Sequence, residues 1–328
     1  MVNLESDQIE RPSDDQYRSL GSGVLPSGIG LRVDHFLAKN YPFLTRAGWQ
    51  KRLDLSEVLV NKRPVRSSYR MRAGDEVQFY HPPEVEPEVD AGIRILWQEG
   101  SVMAVFKPGN LPMHENGAYR TNTFARFLSE MAGKEWAAVH RLDRETSGIV
   151  LCGSTHQSRQ KLAEDFEAKR IQKEYLMIVD GVPTLSEWTN SGSLGDLKES
   201  QIRIKKWVVP DGLSAETSFV CEALGPKTAS LLRAFPKTGR TNQIRIHAAH
   251  SGHWILGDKL YHPNEDVFLD YWKTGATTEF IVEQTRHYRC CLHAASLTFR
   301  HPELGREIRI DSPIPEDMQD LWIKLQSI

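Results

Sequence analysis

The chain has 328 residues, 40% of them hydrophobic and 26% charged, with a formal net charge of −2. This length favours two domains over one, and no apolar run approaches the roughly 18 residues that crossing a bilayer needs, which argues against an integral membrane protein. Its four cysteines, Cys152, Cys221, Cys290 and Cys291, include no pair with the two-residue gap of a redox motif or zinc knuckle, so reduced thiols and no metal are expected.

Residues 1–29 are acidic and polar and lack the basic start and apolar stretch of a secretory signal, which reads as a mobile acidic tail on a soluble, cytoplasmic protein. Between 31 and 55, Val33, Phe36, Leu37, Trp49 and Leu53 recur at helical spacing and predict two short helices separated at Tyr41-Pro42. Glu57-Val58-Leu59-Val60-Asn61 predicts a strand running into a turn, and the Gly74-Asp75 turn leads into a second strand ending at Tyr80. Residues 31–81 hold ten Lys or Arg against five acids, a local basic footprint of the kind phosphate backbones select. Residues 83–92 belong to a stretch dense in Pro and Glu that neither helix nor packed strand tolerates, and read as a linker.

From residue 93 onward, strands are predicted around 93–97, 101–106, 148–153, 174–179, 202–208, 229–235, 292–299 and 306–310. Helices are predicted near 122–132, 155–169 and 315–326. Without regular β-α alternation, this order predicts an α+β domain over 93–328.

The most informative segment is His140-Arg141-Leu142-Asp143-Arg144-Glu145-Thr146-Ser147-Gly148, a polar cluster just before an apolar strand. The small and hydroxylated residues let a loop turn tightly, presenting Asp143 from a rigid sheet. On charge pattern alone, Asp143 between Arg141 and Arg144 reads as a solvated loop salt bridge. His247, His250 and His253 recur every three residues without carboxylate or cysteine company, and read as residues that pack or face a phosphate-bearing partner instead of metal ligands.

This string resembles the HRLD-x-x-TSG signature of the RluA-type pseudouridine synthases. Further segments are similar to that family in order: Lys107-Pro108-Gly109-Asn110-Leu111-Pro112-Met113-His114, with Asn110 a departure; Lys173-Glu174-Tyr175; and Gly239-Arg240-Thr241-Asn242-Gln243-Ile244-Arg245-Ile246-His247, with Asn242 where His is usual. Gly252 to Tyr261 and Leu292-His293-Ala294-Ala295-Ser296-Leu297 match two more.

The resemblance implies a mixed, mostly antiparallel central sheet with an active-site cleft, and conversion of uridine in RNA to pseudouridine without a cofactor. It implies Asp143 as catalytic carboxylate, Arg245 as its partner, and Tyr175 as an aromatic wall under the uracil. A Tyr175 phenol could also take the last proton, though stacking is the safer assignment. His140, Arg141, Thr146 and Arg240 are the expected substrate-binding residues; Arg141 could equally be a loop-stabilising ion pair. By periodicity alone Arg245 would be a surface arginine on a strand. The chemical route stays open between attack on the ribose, addition to the base and removal of a sugar proton.

Residues 30–82 resemble the small alpha-L RNA-binding domain also found in a small-subunit ribosomal protein, through Gly30-Leu31-Arg32-Val33-Asp34, Val58 to Val65 and Gly74-Asp75-Glu76-Val77. Ser56-Glu57 stands where that domain usually has Gly. The implied partner is structured RNA, ribosomal or transfer. Oligomeric state is not legible, and a monomer suffices. A non-catalytic RNA-binding protein and a nucleoside glycosidase are the rival readings; the first is opposed by Asp143, Tyr175 and Arg245 together, the second by the basic N-terminal segment.

Overall fold

The computed structural model describes residues 17–19, 28–42, 44–80, 86–225, 229–274 and 276–327. The chain divides into two compact units, Met1–Val85 and Glu86–Ile328.

The first unit holds β1 (Tyr17–Ser19), α1 (Val33–Asn40), α2 (Arg46–Asp54), β2 (Val58–Val60), β3 (Arg63–Pro64) and β4 (Val77–Tyr80). Its sheet has the order β1-β4-β2-β3. The strand β1 is a correction to the tail expected over 1–29: Tyr17 to Ser19 pair antiparallel with β4. Val33, Phe36 and Leu37 of α1 pack with Trp49 and Leu53 of α2 on Val58, Val60 and Phe79 of the sheet. Each such buried side chain is worth roughly 1.5–3 kcal/mol, which suits a unit with so small a core. Asp34 is fully buried and would be costly alone, but Arg32, Arg46 and Gln50 all donate to it. Ser56, in the place of the expected Gly, adopts the left-handed conformation at φ 58°, so the turn into β2 forms with a non-glycine residue.

The second unit contains β5 (Arg94–Glu99), β6 (Val102–Lys107), α3 (Phe124–Ala132), β7 (Ala137–Ala138), β8 (Ser147–Gly153), α4 (His156–Glu167) and β9 (Gln172–Asp180). It continues with β10 (Glu187–Asn190), β11 (Leu194–Asp196), β12 (Lys206–Val208), β13 (Thr217–Leu224), β14 (Ala229–Pro236), α5 (Gln243–His250), α6 (Asp266–Thr274), α7 (Thr278–Thr285), β15 (Leu292–Arg300), β16 (Glu307–Asp311) and α8 (Glu316–Gln326). The main sheet runs β10-β13-β14-β9-β15-β8-β6-β5, with β16 beside β15 and β7 beside β8. Every pairing is antiparallel except β15 with β8, so the α+β class with a mixed, mostly antiparallel sheet holds. Among the described residues, no helix is long and apolar enough to cross a membrane.

Several expectations need correction. The strand expected at 202–208 is confined to Lys206–Val208, while β10, β11 and β13 were not anticipated, nor were α6 and α7. The segment of Arg245 is helical. The second half of the expected linker packs as structure: the Glu86 carboxylate accepts from the backbone N–H of Thr121 and Asn122, and Asn122 Nδ2 donates to the Pro87 carbonyl. Residues 81–85 lie outside the described residues.

The centre of the sheet is where the site is built. β6 and β8 are buried along their whole length, which explains their continuous apolar runs. α4 begins with a capping box, Thr155 and Ser158 satisfying each other's backbone N–H groups. Gly148, at φ 121°, lies against β15 so closely that a Cβ would stand 2.3 Å from the Ala294 carbonyl oxygen. That approach is the physical reason for glycine after Thr146-Ser147. Beside it the buried Ser147 Oγ and His293 Nδ1 lie 3.0 Å apart, joining two segments remote in sequence.

Candidate active site

Asp143 stands on the loop between β7 and β8, its side chain 32% exposed. Its neighbours are tied down in the opposite sense. Arg144 donates to the hydroxyls of Tyr119 and Tyr271 and to Glu145, not to Asp143. Glu145 accepts from Lys259 Nζ and from the Cys290 N–H. Burial pushes its pKa up, but Lys259 and then Arg144 bring it down to about 2. The fully buried Lys107 Nζ donates to the carbonyls of Pro108, Leu111 and Arg144, while burial drives its pKa well below the ordinary lysine value. The loop is thus clamped on both sides while Asp143 stays presented.

Arg245 reaches Asp143 from α5, Nη1 lying 3.2 Å from Oδ2. The guanidinium is held by a bidentate pair with Asp258, at 2.7 and 2.8 Å, and by Asn242 Oδ1 at 3.1 Å. Asp258 has no solvent exposure and also accepts from the backbone N–H groups of Leu260 and Tyr261. Burial alone would favour a neutral Arg245; Asp258 outweighs it and holds the guanidinium charged. Gly257, which positions Asp258, has φ 80°, and a Cβ there would fall 1.7 Å from the Arg289 carbonyl oxygen.

Asn242, the departure from the usual His, has φ 56°, a conformation Asn tolerates better than most residues. Its Nδ2 donates to the Tyr261 hydroxyl while its Oδ1 holds Arg245. The next residue, buried Gln243, accepts from the Arg240 N–H and the Thr238 hydroxyl and donates to the Glu216 carbonyl, fastening the loop before α5.

A cavity of about 250 Å³ opens over Asp143, with Arg141, Tyr175, Arg240, Ile244 and Leu292 in its walls. Tyr175 lies on β9 opposite Ala234 of β14 and Ala294 of β15, two small side chains that leave room for its ring. Burial, then the Asp143 charge, raise its pKa, so the phenol keeps its proton.

The structure therefore brings Asp143, Tyr175, Arg245, Arg141, Thr146 and Arg240 to one cavity. His140 is not among its walls. The His140 Nε2 accepts from the Leu151 N–H, and its ring packs against Phe166; burial, then Lys173, bring its pKa down to about 3, leaving it neutral. Sequence reasoning assigned no role to Asp258, Asn242, Gln243 or the Glu145–Lys259 pair. For Asp258 the signal was present, a lone acid within the Ile255-Leu256-Gly257-Asp258 run.

His247 is buried, its ring nitrogens 2.9 Å from Thr217 Oγ1 and 2.9 Å from the Gly192 carbonyl. His250 and His253 face Asn190 and the Asp180 carbonyl respectively. Among the described residues, no group of three or more His, Cys, Asp or Glu is arranged to hold a metal ion.

Residues 101–250 match the family described as RNA pseudouridylate synthase. The chain is 31% identical over 315 residues to an uncharacterized RNA pseudouridine synthase of Chlorobaculum parvum, covering 91% of this chain and 95% of the relative. It is 30% identical over 334 residues to the ribosomal large subunit pseudouridine synthase D of Xanthomonas campestris pv. campestris, covering 98% and 96%. The solved structure of human RNA pseudouridylate synthase domain containing 1 shares the fold at 20% identity and a TM-score of 0.56, covering 73% of this chain and 91% of that one.

Proposed function

The chain belongs to the RNA pseudouridine synthase family and is an isomerase acting on uridine in RNA, and we propose that its substrate is a uridine in structured large-subunit ribosomal RNA, with Asp143 as the reacting carboxylate. The conversion breaks the bond from ribose to N1 of uracil, joins the same ribose carbon to C5, and moves the C5 proton away while N1 gains one. The observation that carries the reading is a partly exposed carboxylate at the edge of a cavity suited to a single extruded base, fixed by a guanidinium that is itself fixed by a buried acid.

In this reading the target uridine leaves its stack to reach the cavity, a cost of a few kcal/mol that loops and bulges in RNA reduce. Its base lies against Tyr175 and Leu292. Arg245 aims the Asp143 carboxylate and limits its freedom before the reaction begins. Arg141 and Arg240, both exposed at the rim, take phosphates of the opened strand. Thr146 closes the turn through its N–H to the Asp143 carbonyl. The first unit is an alpha-L RNA-binding domain that adds affinity.

The test is pseudouridine mapping of ribosomal RNA from cells with and without the gene, followed by complementation with the unaltered chain and with Asp143→Asn. One or a few ribosomal positions should lose pseudouridine and regain it only with the unaltered chain. Sites confined to transfer RNA, or restoration by the Asn variant, would overturn the reading.

A further inference from the structure

Across a rim of Arg141, Lys173 and Arg240, a second cavity of about 560 Å³ adjoins the one over Asp143. Phe166 and His140 line it, their ring centroids 4.5 Å apart, and Lys169, just beyond the end of α4, stands at its edge. Among the described residues, Arg141, Lys169 and Lys173 enter no ion pair. Elsewhere in the same unit Arg144, Arg233, Arg245 and Arg289 are each bound to a carboxylate. Lys173 is half-buried, and its ammonium has a single carbonyl partner, Thr238, at 3.3 Å. Burial, then the Lys169 charge, lower its pKa. The lining holds one acid, Glu167, against five cations, and cations in such excess repel one another, a cost that an anion bound between them lowers.

We propose that this cavity holds the nucleotide next to the isomerised uridine, with a phosphodiester between Arg141, Lys169 and Lys173 and the base against Phe166. The proposal rests on the RNA reading above and adds a second subsite to it. The shared rim lets one strand pass from the first cavity to the second. Three cations from separate segments suit a tetrahedral anion approached from several sides, Arg141 by its planar fork and the two lysines as point charges. The aromatic floor suits a base recognised by its face instead of its edge, so the subsite accepts any base and selects for an opened strand.

The test uses synthetic stem-loops carrying the mapped uridine, in which the phosphate on either side is replaced, one at a time, by an uncharged methylphosphonate. Binding is measured for the unaltered chain and for Lys169→Asn, a change suited to the φ of 59° at that position. One neutral linkage should weaken binding to the unaltered chain by about tenfold. Lys169→Asn should weaken binding to the native stem-loop about threefold to tenfold and lower the log–log salt slope by roughly 0.7. The neutral linkage should then cost Lys169→Asn clearly less than it costs the unaltered chain. An abasic residue at the same neighbour should weaken binding to the unaltered chain, and less so to Phe166→Leu.

Independent losses that simply multiply, or neutral linkages without effect on the unaltered chain, overturn the subsite. Since these are binding measurements, they can fail while the uridine is still isomerised. They can equally succeed on a chain that binds without reacting, which would count against the first reading alone.

Discussion

Three arginines of the second unit and three cations of the first are held in opposite ways. In the second, the largely buried Arg245 and Arg289 and the half-buried Arg144 are locked to carboxylates. In the first, ion pairs among the described residues involve only Arg32, Arg46 and Arg52, while Lys62, Arg63 and Arg66 stand exposed on and after the turn between β2 and β3. A buried pair is little screened by salt and fixes a geometry. An exposed, unpaired cation fixes none, but releases counterions when it meets a phosphate. In the proposed reading, the exposed cations of the first unit capture RNA while the locked arginines of the second position the reacting groups.

The sharpest break of that comparison is Asp143→Asn. Single-turnover isomerisation should fall by roughly 10⁴-fold or more, while RNA affinity and its salt dependence stay those of the unaltered chain. A parallel loss of affinity would show that the positioning region also does the capturing.

Next in size is Arg245→Met, which strands the buried Asp258 carboxylate. Removing one partner of such a pair costs about 3–5 kcal/mol, read as a lower urea midpoint. Arg245→Met combined with Asp258→Leu should regain most of that stability without regaining activity, because Asp143 would still lack its guanidinium. Recovery of isomerisation in the double variant would mean that Arg245 only balances Asp258.

Glu145 gives the pH test of the same locked network. Its pKa in the folded chain is lowered from 4.5 to about 2, so its stabilising contribution is complete above the unfolded value and disappears as pH falls through that window. The contribution is about 3 kcal/mol. Unfolding stability of the unaltered chain should drop between about pH 4.5 and 2 more steeply than that of Glu145→Gln; equal slopes would remove Glu145 from the network.

Much of the locked region was legible as motif, because loop glycines and ionic partners tolerate little change in residue type. Asp143, Tyr175 and Arg245 come from three segments, and the structure places them around one cavity. The helix carrying Arg245 was not legible. Ile244 and Ile246 alternate as on a strand, yet Gln243, Ile244, Ile246, His247 and Ala248 are all buried, so α5 is covered on most sides and its polar residues point inward. Asp258 escaped notice for a related reason: its partner lies in another element, and only the fold shows that its charge is compensated. The strand β1 was hidden because a three-residue edge strand in a polar segment draws its stability from β4, not from its own pattern.

A smaller effect is expected from the capture region. Lys62→Asn, Arg63→Gln and Arg66→Gln together should lower the salt slope by up to about 2, at roughly 0.7 per lost phosphate contact, and weaken binding at moderate salt. The rate at saturating RNA should be unchanged. An unaltered slope would move RNA capture to another face of the first unit.

The smallest expected effect concerns Tyr175, which with Leu292 forms the uncharged walls proposed to meet the uracil. Burial and the Asp143 charge both hold the proton on Tyr175, so near neutral pH too little phenolate exists for it to serve as a base. Its contribution is then the face of its ring, set between Ala234 and Ala294, and Tyr175→Phe retains that face. Isomerisation by this variant should fall by less than about tenfold, with RNA affinity unchanged, whereas Tyr175→Leu should lose more because the flat face is gone. General-base catalysis is typically worth roughly 10²–10⁴-fold. A loss of that size in Tyr175→Phe, recovered as pH rises, would instead make the phenol oxygen the base that takes the C5 proton, and the site would then depend on proton transfer as well as on fixed charge.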